Sequence, residues 1–238
     1  MHTSLLSAAS QSPVAQASAA YACPPAPPPS NLVATLADGA ELHRFDVSSP
    51  AFERDVLALR SAVYQRPAAE CRDHFDDTAL HYVLYDHGTP IYALRSNLAS
   101  AGPIECEEMY PADFVARFRH CLSSSGRLVR NPGQPSGRRR TAAFLAAAFS
   151  DLSTFGARMD IANAIAKLLP YYREQGMMRL RVPTFRHPTW NTVSHILVLL
   201  LNPDLPGTIN AHLDRVPNPL SPSDLGPICA PIQIQRYA

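Results

Sequence analysis

The chain has 238 residues, of which 21 are Lys or Arg and 20 are Asp or Glu, so its formal net charge is +1. This balance argues against a basic nucleic-acid-binding module, and the longest apolar run, 196–201, is too short to cross a membrane. Five scattered cysteines without a CxxC pair argue against a disulfide scaffold and a zinc site. We therefore expect a cytoplasmic globular protein without a metal.

The first 30 residues differ in composition from the rest of the chain. They are rich in Pro, Ala and Ser and contain no Lys, Arg, Asp or Glu. Such a segment buries too little apolar surface to become ordered, so we expect a disordered leader. A signal peptide is the alternative, but a cationic start is lacking and Pro13 interrupts the apolar stretch. We expect one domain over 31–202 and a proline-rich extension over 203–238 that packs on it.

The predicted elements begin with an amphipathic helix over 50–65, capped by Ser49, after which a turn at Gly88 joins two strands of a hairpin. In chain order, the predicted elements are a helix (50–65), strands (80–85, 90–95 and 105–109), a helix (111–122), a strand (126–130), a helix (141–152), a helical stretch (160–175) that Pro170 kinks or restarts, and strands (177–182 and 193–201). This order predicts a mixed α/β fold, with a partly antiparallel central sheet flanked by helices.

The loop 131–140 is the strongest candidate for a binding site, since the sequence has none of the usual dinucleotide, P-loop, serine-hydrolase or zinc-protease motifs. Directly before a predicted helix it carries Gln134, Gly137, Arg138, Arg139 and Arg140. Unpaired N–H groups at a helix N-terminus favour an anion, and arginines add charge-assisted contacts. The loop therefore indicates a pyrophosphate-bearing ligand such as coenzyme A, or an acidic carrier protein. A merely solvated surface is the alternative.

A second candidate lies near Tyr172, four residues before Gly176 at the end of a predicted helix. This spacing is typical of a glycine C-cap, in which the tyrosine only packs in the core. The alternative is that the phenol acts as a general acid and protonates a leaving thiolate.

These two segments together resemble the Gcn5-related N-acetyltransferase superfamily. In that superfamily a QxxGxG/A loop holds the coenzyme A pyrophosphate, and a tyrosine followed four residues later by glycine protonates the thiolate. Arg139 departs from the loop pattern, because the family has Gly or Ala there.

The N-terminal half is similar to the acyl-carrier-dependent branch, which includes acyl-homoserine-lactone synthases and long-chain N-acyl amino acid synthases. The matching residues are Arg60, Val63, Tyr64, Asp73, Phe75, Asp76, His81, Gly88, Arg95, Gly126, Arg127, Leu128 and Val129. The similarity covers about residues 50–202. Ser124 departs from it, since that branch usually has glutamate there.

The resemblance implies a GNAT-like acyltransferase fold and transfer of an acyl group to the amine of an amino acid or a similar small molecule. Acyl-CoA or an acyl carrier protein would be the co-substrate, with no tightly bound cofactor. A lactone synthase that uses S-adenosylmethionine and a catalytically silent binding or effector module are the alternatives. A protein of either alternative kind would have the same fold.

Roles follow for three groups of residues. The expected catalytic residues are Tyr172 as the acid, and Glu105 or His81 as a base, with Glu107 and Glu108 as further candidates for the base. The residues expected to bind the donor are those of the loop 131–140. The expected acceptor pocket comprises Arg60, Asp73, Asp76, Arg95 and Arg127, in which arginines suit a carboxylate and aspartates an amine. A salt-bridge cluster that fixes the first helix to the hairpin would use the same residues.

Overall fold

The computed structural model describes residues 31–135 and 137–201, and the backbone of 213–215; the predicted leader and nearly all of the predicted extension lie outside these residues. Within the described ranges the strands are β1 (Leu32–Thr35), β2 (Glu41–Phe45), β3 (Ala79–Asp86), β4 (Thr89–Leu98), β5 (Leu122–Arg130), β6 (Met159–Ile165), β7 (Met178–Leu180), β8 (Phe185–Arg186), β9 (Val193–Leu200) and β10 (Leu213–Arg215).

All of these strands belong to one twisted sheet with the order β1-β2-β3-β4-β5-β6-β9-β7-β10, and β8 pairs with β9. Every pair in the sheet is antiparallel except β5 with β6, which run parallel. The mixed, partly antiparallel sheet predicted from the sequence is therefore confirmed, and all but one of its strand pairs are antiparallel.

Helices cover both faces of the sheet. They are α1 (Ala58–Tyr64), which continues a π-helical turn over Phe52–Leu57, α2 (Ala112–Phe118), α3 (Arg138–Thr154) and α4 (Leu169–Glu174). Alternation along β3 shows how the sheet divides the core: Tyr82 and Leu84 pack with Phe144 of α3, whereas Val83 and Tyr85 pack on the opposite face. A third apolar cluster lies beneath α2.

The strands β5 and β6 are paired only at one end. Residues 122–124 of β5 pair with residues 159–161 of β6. Beyond these residues β5 continues to pair with β4, and β6 continues to pair with β9. A bulge in the β4–β5 ladder, where Arg127 has φ of 54°, adds to the bend of β5. We call the opening between the two strands the β5–β6 cleft.

Several predicted elements are confirmed, namely the first helix, the hairpin that turns at Gly88 and the strand at 193–201, which is β9. The predicted strand at 105–109 is wrong: Cys106 has a left-handed φ of 62° and a 3-10 turn follows over Glu107–Met109. The predicted helical stretch at 160–175 is also wrong in its first half, which is β6, while Pro170 lies in the first turn of α4.

Several further elements differ from the expectations. Regular structure begins before the predicted first helix at 50–65, because β1 and β2 form a hairpin around Gly39, whose φ is 85°. The helix α3 starts at Arg138 rather than at residue 141, so the three arginines expected in the loop form its first turn. The predicted strand at 126–130 extends back to Leu122, and the predicted helix before it ends at Phe118.

Candidate active site

Two cavities meet at the β5–β6 cleft, one on each side of it. The first has a volume of about 220 Å³ and is lined by Tyr172, Asp160 and apolar side chains of β4, α3 and β9; we call it the Tyr172 cavity. The second, of about 280 Å³, is lined by Glu105, His187 and Trp190; we call it the Trp190 cavity. Both are lined by Ser125, Gly126, Arg127 and Asn163, so the two cavities adjoin each other at the cleft.

A larger open groove of about 850 Å³ lies beside α2. Of the predicted site residues, its described lining includes Glu107 and Glu108, the further candidates for the base, but neither Tyr172 nor Glu105 nor the expected donor and acceptor residues. We therefore place the candidate site at the cleft, where the chemistry-bearing side chains converge, rather than at the largest depression.

Tyr172 lies on the short helix α4 and lines the Tyr172 cavity. The backbone carbonyl of Tyr172 accepts hydrogen bonds from the N–H groups of Gln175 and Met177, and Gly176 has φ of 83°. These bonds confirm the glycine-ended helix that the spacing predicts. Burial, with a smaller contribution from the charge of Asp160, raises the pKa of the Tyr172 phenol. The phenol is therefore protonated at neutral pH, as a general acid must be before it acts.

The start of α3 presents a helix N-terminus with two exposed arginines. Gly137 is the N-cap, and Gly137, Arg138 and Arg139 are all exposed. Arg140 differs, because its guanidinium donates to Asp38 at 2.8 Å and to Asp86 at 2.9 Å. Arg140 thus ties α3 to two hairpin turns, while Arg138 and Arg139 face solvent where an anion could bind. Gln134 is half-buried in the preceding turn.

The predicted acceptor residues form one ion-pair cluster with a buried inner part. Arg60 donates to both carboxylate oxygens of Asp76 at 2.9 Å, and both side chains are fully buried. Arg95, equally buried, lies 3.5 Å from the same carboxylate. This inner part matches the structural alternative, a cluster that fixes α1 to the hairpin.

The outer part of the cluster reaches the cavities. Arg95 donates to Asp73 at 2.5 Å and to Glu105 at 2.6 Å, and Arg127 donates to the same two carboxylates at 2.7 and 3.2 Å. The nearby arginines outweigh burial and lower the pKa of Asp73. The guanidinium of Arg127 also lies over the ring of Trp190, 4.9 Å from its centre. Glu105, Arg127 and Trp190 line a further cavity of about 250 Å³ with Asp73.

The two proposed bases have unequal access to the cleft. Glu105 lies at the cleft, but both of its oxygens are paired with arginines. His81 is fully buried against Phe52, its Nε2 donates to the carbonyl of Asp76 at 3.2 Å, and burial lowers its pKa to about 4. His81 is therefore a neutral, hydrogen-bonded core residue that lines none of the cavities described above.

Several residues of the site were not predicted, among them His187, Trp190, Asp160 and Ser125. His187 and Trp190 follow β8; Nε2 of His187 lies 3.9 Å from a Glu105 oxygen, and its Nδ1 accepts the N–H of Thr189. Burial lowers the pKa of His187 and favours the neutral ring. Asp160 was misplaced because 160–175 was taken as helical, although the alternation of apolar residues Met159 and Ile161 is the pattern of a strand.

The described residues contain no cluster of three or more side chains suited to a metal ion. Within the same residues, no helix is long and apolar enough to cross a membrane.

The cleft offers a phenol, a helix N-terminus with arginines, and a pocket of paired charges. This combination suits group transfer between two organic molecules.

The sequence matches no family model. It also matches no curated protein. Among solved structures, the CoA-dependent acyl-homoserine lactone synthase BjaI, with SAM and isopentyl-CoA, is 15% identical, covers 69% of this chain and 85% of its own, and has a TM-score of 0.53.

Two other solved structures are similar to the same extent. The acyl-homoserine lactone synthase LasI is 12% identical over 68% of this chain and 89% of its own, with a TM-score of 0.53. FeeM, an N-acyl amino acid synthase from uncultured soil microbes, is 12% identical over 67% of this chain and 92% of its own, with a TM-score of 0.51. These similarities confirm that this chain shares the fold of these synthases, the fold that the sequence resemblance implies.

Proposed function

We propose that this protein is an N-acyltransferase, which moves an acyl group from coenzyme A or an acyl carrier protein to the amine of an amino acid or a similar molecule. The observation that carries the proposal is the β5–β6 cleft, at which the Tyr172 cavity and the Trp190 cavity share four lining residues. A thioester lying in the cleft would be open to the acid from one side and to an amine from the other. The fold shared with BjaI and FeeM supports the same conclusion.

The donor binds on the α3 side of the sheet. Its phosphates contact the N-terminus of α3 with Arg138 and Arg139, whose charges suit a pyrophosphate or an acidic carrier surface. The pantetheine arm enters the cleft, and the acyl group contacts apolar side chains such as Leu145, Phe149 and Leu199. Tyr172 then protonates the sulfur as the thiolate leaves.

The acceptor binds in the Trp190 cavity and in the further cavity that Asp73 lines, since Glu105, Arg127 and Trp190 line both. Asp73 and Glu105 hold the amine of the acceptor near the cleft, and Arg127 with Trp190 binds its carboxylate and side chain. The amine attacks the thioester carbonyl, and the bulge in β5 offers N–H groups at Arg127 and Leu128, which lie outside the paired register with β4, to the developing oxyanion.

The proposal is tested with purified protein, acyl-CoA and acyl carrier protein donors of several chain lengths, and a panel of amino acids with S-adenosylmethionine. We expect thiol release that depends on an amine, and mass spectrometry then identifies an N-acyl product. Methylthioadenosine among the products would instead assign a lactone synthase. Calorimetric binding of acyl-CoA without thiol release would assign a catalytically silent binding module, and neither binding nor release would refute the proposal.

A further inference from the structure

Asp160 is a buried carboxyl group with an incomplete set of partners. It lies on β6, is fully buried and lines the Tyr172 cavity. Its Oδ1 accepts hydrogen bonds from the hydroxyls of Ser123 at 2.7 Å and Ser125 at 2.9 Å. Its Oδ2 has no hydrogen-bond partner among the described residues. Buried polar atoms are nearly always bonded, so an unpartnered carboxyl oxygen beside a cavity indicates a role beyond stability.

Ser125 connects this carboxyl group to both sides of the cleft. It lines the Tyr172 cavity and the Trp190 cavity, and its hydroxyl lies 2.8 Å from that of Ser96. A hydroxyl donates one hydrogen bond and accepts two. When Ser125 donates to Asp160 and accepts from Ser96, one lone pair remains for a proton that arrives from the acceptor side.

The other acids and bases near the cleft are less suited to accept that proton. Glu105 has both oxygens paired with arginines, and Nε2 of His187 carries the hydrogen, because Nδ1 accepts the N–H of Thr189. Neutral hydroxyls, rather than a cation, surround Asp160. Burial raises the pKa of Asp160 to about 7, so near neutral pH this carboxylate is a stronger base than an exposed one.

We propose that Ser125 and Asp160 form the proton-accepting pair of the acyl transfer, an inference that rests on the proposed N-acyltransferase function. As the N–C bond forms and the C–S bond breaks, a proton of the amine passes to Oγ of Ser125, whose own proton passes to Asp160. Tyr172 gives its proton to the thiolate. The acid Asp160 then returns a proton to the Tyr172 phenolate across the cavity that both line, which restores the starting state.

The test compares the pH dependence of kcat/KM in wild type and in Asp160→Asn, which keeps the size of the side chain. In wild type we expect kcat/KM to fall below about pH 7 as the carboxylate takes up a proton. Asp160→Asn loses this acidic limb, and its kcat is lower by about 100-fold or more, while the KM for acyl-CoA changes by less than about twofold. Ser125→Ala should change kcat and the acidic limb in the same direction. Ser125→Thr, which restores a hydroxyl, recovers activity.

Groups that face Asp160 from the neighbouring elements do not produce the same limb. These are Tyr172 from α4, Tyr110 from the segment before α2, and Tyr64 and Arg127 at the cavity wall. Burial raises the pKa of all three tyrosines, so they stay protonated near neutral pH. Removal of the limb by Asp160→Asn therefore identifies Asp160 as its source.

The matched control is Asp55→Asn, since Asp55 is as buried as Asp160 but is bonded to Arg54 and Tyr85 and lies in the π-helical turn before α1. This variant keeps the acidic limb. An unchanged limb in Asp160→Asn, or a loss of activity that is equal at every pH, would overturn the relay alone. Thiol release that is absent in wild type with every donor would refute the proposed function, and the relay with it.

Discussion

At the scale of single residues, the proposed chemistry depends most on the Tyr172 phenol. We expect Tyr172→Phe to lower kcat by about 100-fold, because a positioned general acid contributes that much, and to leave the KM for acyl-CoA nearly unchanged, because the ring still fills its place. Burial keeps the pKa of the phenol high, so wild type has no alkaline limb near neutral pH from this group. Thiol release over a pH series measures both effects.

The neighbouring tyrosine provides the control for this variant. Tyr171 lies edge-on to Tyr172 with ring centres 5.3 Å apart, and it is absent from the described lining of both cavities at the cleft. Tyr171→Phe should keep normal turnover. Equal losses in the two variants would show that the effect comes from the packing of α4 and not from proton transfer.

Single residues also show what a sequence can and cannot predict about a site. Asp73, Arg95 and Arg127 were grouped because their motifs resemble one family, and the structure brings them together. His187 and Trp190 reach the same place from a region with no motif, about 60 residues after Arg127. Only tertiary packing gives them their neighbours, so local pattern could not identify them.

At the scale of secondary-structure elements, the pair Arg60–Asp76 fixes α1 to the turn before β3. Both side chains are fully buried. We expect Arg60→Met to lower the free energy of unfolding by about 3 kcal/mol, because it leaves a buried carboxylate without its main partner. Adding Asp76→Asn should recover part of this loss, since the uncompensated charge is removed. Urea denaturation of the single and double variants measures the difference.

An exposed ion pair gives the comparison for this prediction. Arg72 and Asp77 lie on the surface nearby, 2.8 Å apart. Solvent screens such a pair, so Arg72→Met should scarcely change stability. If Arg72→Met and Arg60→Met lowered the free energy of unfolding by the same amount, burial would not be the reason why the inner pair matters more.

The first turn of α3 separates two roles among its three arginines. We expect the double variant Arg138→Glu, Arg139→Glu to weaken acyl-CoA binding by about tenfold or more, because charge-assisted contacts to phosphate become repulsive. Arg140 already donates to Asp38 and Asp86. Arg140→Gln should therefore lower the Tm and change affinity by less than about twofold. Calorimetry of acyl-CoA binding and thermal unfolding distinguish the two outcomes, and a uniform effect of all three arginines would contradict this division.

Elements with a strong local pattern were predictable, and those that depend on pairing were less so. The hairpin at Gly88 and the strand β9 have clear apolar patterns, as does the first helix. The hairpin of β1 and β2 was missed although Asp38 and Gly39 form a good turn signal, because both strands are short. The span of β6 was taken as helical because apolar residues spaced for a helix follow it in α4.

At the scale of the whole molecule, the β5–β6 cleft could not be derived from any segment of the sequence. It exists because β5 pairs with β4, β6 pairs with β9, and the two strands share only a short parallel contact. The strand β6 thus pairs with residues as far apart in the sequence as Leu122 and Leu200. A fold resemblance can suggest such a cleft, but only the assembled sheet shows which side chains line it.

Two buried groups give the stability of the whole molecule opposite dependences on pH. Burial raises the pKa of Asp160 from 3.8 to about 7, so the folded state binds more protons than the unfolded state between these values, and stability falls as pH rises through them. Burial lowers the pKa of His81 from 6.5 to about 4, so the unfolded state binds more protons in that range, and stability falls as pH decreases. In wild type the two slopes oppose each other.

Variants that remove one group should reveal the slope of the other. Relative to wild type, the free energy of unfolding of Asp160→Asn should increase between about pH 4 and 7 by about 4 kcal/mol, and stay level above it. The free energy of unfolding of His81→Phe, again relative to wild type, should increase by about 3 kcal/mol as the pH falls from about 6.5 to 4. Lost contacts add an offset that is independent of pH, so urea denaturation across pH 4–8 isolates each slope. Differences that stay constant with pH would contradict both assignments, because a group with the same pKa folded and unfolded leaves stability unchanged by its titration.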